Sequence, residues 1–246
     1  MLKALIFDVD GTLANTERDG HRVGFNQAFA EKGLDWHWSV ELYGELLAVA
    51  GGKERLKYFI ERDRPDLPEV SDLNAFIKEL HQLKNKYYQA LLKEGAIPLR
   101  SGVKRLITEA RANNIRLAIA TTTTLSNAMA LLEKTLDPTW FEVIAAGDIV
   151  PQKKPAPDIY YYALEKLNLA PDNCLVFEDT EHGLEAATTV GLKTIVTVNN
   201  YTENQDFSEA RLVVSHLGEP DNQNQVIQGN ISDKGYLDLE TLQKLL

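Results

Sequence analysis

Short apolar runs recur along the chain at residues 5–7, 115–120, 143–146, 174–177, 194–198 and 212–214. Each has the length of one strand. Most are followed by polar, Gly or Pro residues and then by apolar positions three to four apart, as in Val103, Leu106, Ile107 and Ala110, or Leu184 and Ala187. Near-continuous apolar strands alternating with amphipathic helices predict an α/β fold built on a parallel sheet covered on both faces.

Between about residue 18 and residue 94 that alternation stops. The apolar positions keep only the helical period: Phe25, Ala28 and Phe29; Leu42, Leu46 and Leu47; Leu56, Phe59 and Ile60. A longer stripe follows in Leu73, Phe76, Ile77, Leu80, Leu83, Tyr87 and Leu91, with Ser71 as its N-cap. An all-helical block after the first strand predicts an inserted domain, with Gly95, Ala96, Ile97 and Pro98 as the return hinge. Residues 221–234 are polar and read as loop. Leu237, Leu239, Leu242, Leu245 and Leu246 read as a closing strand-helix piece.

Charge narrows the partners. The 246 residues carry 26 Lys and Arg against 36 Asp and Glu, a net −10, with the two signs interleaved. Nucleic acid and anionic membranes need a basic surface, so neither is an expected partner. A small anion is still compatible, because a few local cations override the global field. Cys174 is the only cysteine, which rules out an intramolecular disulfide. No apolar run approaches the roughly 20 residues of a membrane span. The chain opens directly on its first strand, with no leader pattern, and a cytoplasmic monomer is expected.

Chemistry collects where the predicted strands end. Asp8-Val9-Asp10-Gly11-Thr12 follows the first strand, and the carboxyl edge of an open parallel sheet is where ligands bind. Carboxylates at i and i+2 leave a strand on the same side, and Gly11 lets the backbone turn beneath them. Alone, this string also suits a solvated acidic turn. The second strand runs into Thr121, Thr122, Thr123 and Thr124, hydroxyls and amides at a helix start that suit a phosphate. The third is followed by Lys153-Lys154-Pro155-Ala156-Pro157-Asp158, where two prolines stiffen the loop around a lysine. The fourth ends in Glu178-Asp179. In isolation each reads as a cap or a surface charge; four in succession do not.

Acid pair, hydroxyl, lysine and acid pair in this order resemble the motifs of the haloacid dehalogenase-like hydrolases, and the resemblance covers almost the whole chain. It implies a Rossmann-like parallel-sheet core at residues 1–16 and 96–246, with a mobile four-helix cap domain at 17–95. It implies a phosphatase with Mg²⁺ as cofactor, held by the carboxylates of Asp8 and Asp179, the Asp10 carbonyl and Glu178, directly or through water. Asp8 is then the nucleophile and Asp10 the general acid and base. Thr121, Thr122, Thr123 and Lys154 hold the phosphoryl group, with Lys154 and the metal offsetting the repulsion between phosphate and Asp8.

The insert speaks to substrate. Residues 15–22 (NTERDGHR), 43–47 (YGELL) and 51–55 (GGKER) resemble the CbbY-like sugar phosphatases of photosynthetic organisms. That resemblance implies a phosphorylated sugar as substrate, xylulose-1,5-bisphosphate, an inhibitor of Rubisco. It carries substrate contacts onto Glu17, Tyr43, Gly52, Lys53, Arg55, Arg100 and Gly102. From the residues themselves, Gly51-Gly52 opening onto Lys53 and Arg55 suits a second anion, with Arg55 as a bidentate fork. Glu17 and His21, four apart on one helix face, suit sugar hydroxyls. Ser101 stands where the family pattern leads one to expect proline, and suits an N-cap. Two other classes share these features: a β-phosphoglucomutase-like isomerase, which needs a longer-lived phosphoenzyme, and a non-catalytic sugar-phosphate sensor, which needs neither Asp8 nor Asp10.

Overall fold

The structure, a computed structural model, describes residues 1–49, 51–64, 72–147, 149–231 and 234–246. The chain forms two compact units, Thr16–Ile97 and the combination of Met1–Asn15 with Pro98–Leu246.

The Thr16–Ile97 unit is helical. A π-helical turn at Glu17–His21 leads into α1 (Arg22–Glu31), followed by α2 (Val40–Leu46), α3 (Gly52–Asp63) and α4 (Leu73–Glu94). Local chemistry sets the ends. Ser39 Oγ caps α2 by accepting from the Leu42 amide at 3.2 Å. Asp72 caps α4 by accepting from the Ala75 amide at 3.0 Å; Ser71, expected there, lies outside the described residues. Gly95 ends α4 at φ +69°, a left-handed turn that favours glycine. The core of this unit is aromatic, with Trp38 4.6 Å from Phe25 and 5.1 Å from Phe29, and Trp36 5.4 Å from Phe59 between ring centroids. The buried face of α4 is Ile77, Leu80, Lys84, Tyr88 and Leu92. It is rotated from the expected stripe, taking Tyr88 and Leu92 in place of Tyr87 and Leu91, and it puts a lysine in the middle.

The other unit is a seven-stranded sheet. Its strands are β1 (Ala4–Phe7), β2 (Arg116–Thr121), β3 (Val143–Ala146), β4 (Cys174–Glu178), β5 (Lys193–Thr197), β6 (Leu212–Val214) and β7 (Val226–Gln228), in the order β3-β2-β1-β4-β5-β6-β7. All pairs are parallel except β6–β7. Helical crossovers satisfy the parallel pairs: α5 (Val103–Ala112) packs on β2, α6 (Leu125–Thr135) on β3, α7 (Asp158–Leu167) on β2 and β3, and α8 (Glu181–Thr189) on β4 and β5. A last helix, α9 (Leu239–Leu245), packs on α5. The central strands are buried throughout, and Phe7 stacks on Phe177 with centroids 4.5 Å apart.

Two local expectations change. Within 221–234, Val226–Gln228 is a strand, an antiparallel edge partner of β6. Val226 and Ile227 are exposed, so pairing with β6, not a buried apolar face, makes it. Ser101 does not cap α5. Gly102 does, at φ +87°, while Ser101 Oγ accepts from Asn222 at 3.1 Å.

Because the aromatic cluster forms the helical unit's core, Phe29→Ala should cost about 3–5 kcal/mol, transfer and cavity terms together. Urea unfolding followed by the fluorescence of Trp36 and Trp38 reads this directly. A loss below about 1 kcal/mol would contradict the assignment of that core.

Candidate active site

β1 is the strand at which the sheet order reverses, with β2 on one side and β4 on the other. The crevice beyond the carboxyl ends of such strands is where open α/β sheets bind ligands. Register then does the positioning. Phe7 pairs with Ile119 and with Phe177, so the next residues, Asp8, Ala120 and Glu178, sit level at the same edge. Lys154 Nζ reaches all three: Asp8 Oδ1 at 2.7 Å, the Ala120 carbonyl at 2.9 Å and Glu178 Oε1 at 2.5 Å. Its three N–H groups are thereby used, and the lysine is held at one point.

Glu178 is caged as well. Its Oε1 also accepts from the Tyr160 hydroxyl, and its Oε2 from the Asp179 amide at 3.3 Å. A Cβ on Gly183 would lie 2.0 Å from that carboxylate, so only glycine leaves room for it in the first turn of α8. Asp179 Oδ2 accepts from Asn199 at 2.7 Å, and a Cβ on Gly11 would meet the same oxygen at 1.9 Å. Gly11 also sits at φ +85°. Left-handed backbone and close approach both demand glycine there.

Asp8, Glu178 and Asp179 are all buried, with ligand oxygens within 4.8 Å of one another, against one ammonium. The imbalance shows in their proton affinities. Burial raises the Asp8 carboxyl to about 7; Lys154 works against this, while Glu178 and Asp10 add to it. Burial, Asp8 and Glu178 push Asp179 well up despite Arg100 and Asn199. Burial works to lower Lys154, but Asp8 and Glu178 outweigh it and hold the ammonium charged. An all-oxygen donor set with surplus negative charge fits a hard divalent cation.

The other expected residues divide. Thr121 is buried at the end of β2 and its hydroxyl accepts from the Thr123 amide at 3.2 Å, while Thr122 is exposed; Thr124 caps α6. Asp10 is half-buried in the turn after β1. Arg100 is committed elsewhere. Its guanidinium donates to the carbonyls of Gly11, Thr197 (2.8 Å), Val198 and Ser215 (2.7 Å), so it latches the Asp8–Gly11 turn to the ends of β5 and β6. The Gly102 amide donates to Glu219 Oε1 at 3.0 Å, and a Cβ there would meet Leu217 and Gly218.

In the helical unit, Tyr43 is fully buried, and its hydroxyl donates to Glu17 Oε2 at 2.5 Å and accepts from Arg55 Nη1 at 2.9 Å. Arg55 is 8% exposed and its Nε donates to the Leu46 carbonyl at 3.2 Å. Nε and one N–H of Nη1 are thus taken by protein partners. Gly51, the N-cap of α3 at φ +91°, precedes Gly52, where a Cβ would lie 2.7 Å from His81 Nε2; Lys53 is exposed. Burial, then Lys84, drives the His21 imidazole down to about 3, so it is a neutral hydrogen-bonding group. Burial alone would raise Glu17, but His21, Arg55, the Tyr43 hydroxyl and Lys84 hold it below the ordinary carboxylate value.

Sequence reasoning missed Tyr160, Asn199 and Gly183 around the carboxylates, and Lys84 and His81 in the helical unit. Lys84 had a signal: it falls four after Leu80 and four before Tyr88, on the buried row of α4. Asn199 follows β5 closely, a fifth strand end. Gly183 and Tyr160 carry no sequence signal of their own.

The raised Asp8 affinity has a sign that can be checked. With a folded value of about 7 against 3.8 unfolded, its contribution to stability is complete below about pH 4 and is lost as pH climbs through 7. In chelator, Asp8→Asn should therefore gain melting temperature relative to the unsubstituted protein as pH goes from about 4 to about 8. A difference independent of pH would contradict it.

Residues 2–191 match the family model of the haloacid dehalogenase-like hydrolases. The protein CbbY of Rhodobacter capsulatus is 49% identical over 212 residues, 85% of this chain and 91% of that protein. The plasmid CbbY of Cupriavidus necator is 45% identical over 222 residues, 89% of this chain and 87% of its own. A crystal structure of a mutant CbbY from Rhodobacter sphaeroides in complex with xylulose-1,5-bisphosphate superposes with a TM-score of 0.75 at 42% identity, covering 89% of this chain and 96% of that one. With the four strand-end motifs brought to one edge at the switch point of the sheet, the chain belongs to the haloacid dehalogenase-like hydrolase family.

Proposed function

We propose that this phosphatase hydrolyses a sugar bisphosphate, xylulose-1,5-bisphosphate, through a phosphoryl group carried on Asp8. The observation that carries the reading is Lys154, bound at once to Asp8 and Glu178 beside the buried carboxylates. The complex of the related Rhodobacter sphaeroides protein with that sugar supports the choice of substrate. With it comes the role the resemblance implies, removal of an inhibitor of Rubisco.

The residues divide the work. Asp8 attacks phosphorus in line; with Oδ1 tied to Lys154, Oδ2 is the nucleophile. A phosphate dianion about 4 Å from that carboxylate meets a repulsion of roughly 4 kcal/mol at an effective dielectric near 20. Lys154 offsets part of it by its positive charge, held at 2.7 Å from Asp8 Oδ1. Mg²⁺, held by Asp8, Asp179 and the Asp10 carbonyl with Glu178 in support, would supply the remaining positive charge when bound. Thr121 and the amide of Thr122 bind phosphoryl oxygens. Asp10 protonates the departing alkoxide and then takes a proton from the hydrolytic water. Glu17 and His21 bond sugar hydroxyls, and Arg55 and Lys53 behind Gly51-Gly52, with buried Lys84, hold the second phosphate.

Asp10→Asn cannot shuttle a proton, yet it keeps its backbone carbonyl. Turnover should fall by about 10²–10⁴-fold, while calorimetry still detects Mg²⁺ binding. Loss of metal binding would instead make the Asp10 side chain a ligand.

Arg55→Ala should lower kcat/KM for xylulose-1,5-bisphosphate by about 10²-fold, the loss of a charge-assisted contact to phosphate. On p-nitrophenyl phosphate, which has no second phosphate, the loss should be several-fold at most. Equal losses on both substrates would remove the basis for the bisphosphate assignment.

A further inference from the structure

We infer that Tyr43 is a positioning residue that keeps Glu17 and Arg55 from neutralising each other, and so sets the selectivity for a doubly phosphorylated sugar. The inference rests on the proposed role of Arg55 toward the second phosphate. Tyr43 cannot touch a ligand itself, being fully buried with its ring 5.7 Å from Trp38 and 6.4 Å from Phe25. Its hydroxyl is inserted between two opposite charges. It gives its one proton to Glu17 Oε2 at 2.5 Å and takes one from Arg55 Nη1 at 2.9 Å.

The charges themselves stand 4.0 Å apart, at the edge of ion-pair range. A direct guanidinium–carboxylate pair closes to about 2.7–2.9 Å. The hydroxyl therefore acts as a spacer. Arg55 is held from a second side by the Leu46 carbonyl, at 3.2 Å from Nε, and α2 supplies both Tyr43 and Leu46, three residues apart. One turn of one helix thus fixes where the guanidinium points. Nη2 and the second N–H of Nη1 then face an anion, and Glu17 Oε1 serves a hydroxyl.

Removing the Tyr43 oxygen changes what Arg55 pairs with. With nothing between them, Glu17 and Arg55 close into a direct pair, and the anion must compete with a carboxylate for the same guanidinium. Packing in the aromatic core hardly changes, because phenylalanine fills the same space. A neutral amide at position 17 cannot trap the guanidinium, so it should release Arg55 again. This dependence on residue 17 is what a merely structural role for Tyr43 would not produce.

The test uses the full chain with Asp8→Asn to stop turnover, calorimetric titration with xylulose-1,5-bisphosphate, and the kcat/KM ratio of bisphosphate to p-nitrophenyl phosphate in the active background. Tyr43→Phe should weaken binding about tenfold and lower the ratio similarly, the weight of one charge-assisted contact. Added to Glu17→Gln, which by itself carries the loss of Glu17's own sugar contact, Tyr43→Phe should lower neither binding nor the ratio further. Unchanged binding by Tyr43→Phe, or the same tenfold loss when Tyr43→Phe is added to Glu17→Gln, would overturn the spacer role. Arg55→Ala measured alongside separates the two readings. If it lowers the ratio while Tyr43→Phe does not, only the inference about Tyr43 fails. If Arg55→Ala leaves the ratio unchanged, the bisphosphate reading fails and the spacer role falls with it.

Discussion

The contact between Lys154 and Asp8 is what the sheet unit is organised around. A carboxylate meant to attack an anion must be buried enough to be reactive and still stay charged, and burial alone pushes it the other way. Lys154 supplies the opposing force from 2.7 Å, and it can do so only because Glu178 and the Ala120 carbonyl hold the ammonium level with Asp8. That level placement follows from the pairing of β1 with β2 and β4. A one-residue slip of either neighbour would turn its side chains to the other face and dismantle the group. Tyr160, Asn199, Arg100, Gly11 and Gly183 then fix what register leaves free.

Much of this was legible in the chain. Strands buried on both faces read as continuous apolar runs, and all six so read are present, two with the same bounds and the others shifted by one residue at one or both ends. The acid positions were visible because they end a strand or directly follow one, and the lysine because it stands in the proline-stiffened loop after β3. What stayed hidden depends on partners far away in sequence. Arg100 looks like a free cation beside a glycine, and only the folded sheet brings the carbonyls of Thr197, Val198 and Ser215 to it. Tyr43 looks like a polar contact, and only the packing of Trp38 and Phe25 shows that it is sealed. β7 has no pattern of its own, since an exposed edge strand is set by its neighbour's open hydrogen bonds.

Both units handle charge in the same way, by placing a neutral group or a second partner where two opposite charges would otherwise satisfy each other. Lys154 is shared between Asp8 and Glu178, so neither carboxylate captures it alone. Arg55 is separated from Glu17 by a hydroxyl. In each case the cation is shared or spaced and not closed into a single direct pair.

The central claim is that Asp8 is the nucleophile and carries the phosphoryl group. Its most direct test is a rapid acid quench of the wild-type protein with Mg²⁺ and substrate during steady turnover, followed by peptide mass spectrometry. The account predicts one phosphoryl group on the peptide holding Asp8, present during turnover and gone once substrate is exhausted. A phosphoryl group on another residue would contradict the account, as would full turnover with no phosphorylated peptide at any quench time.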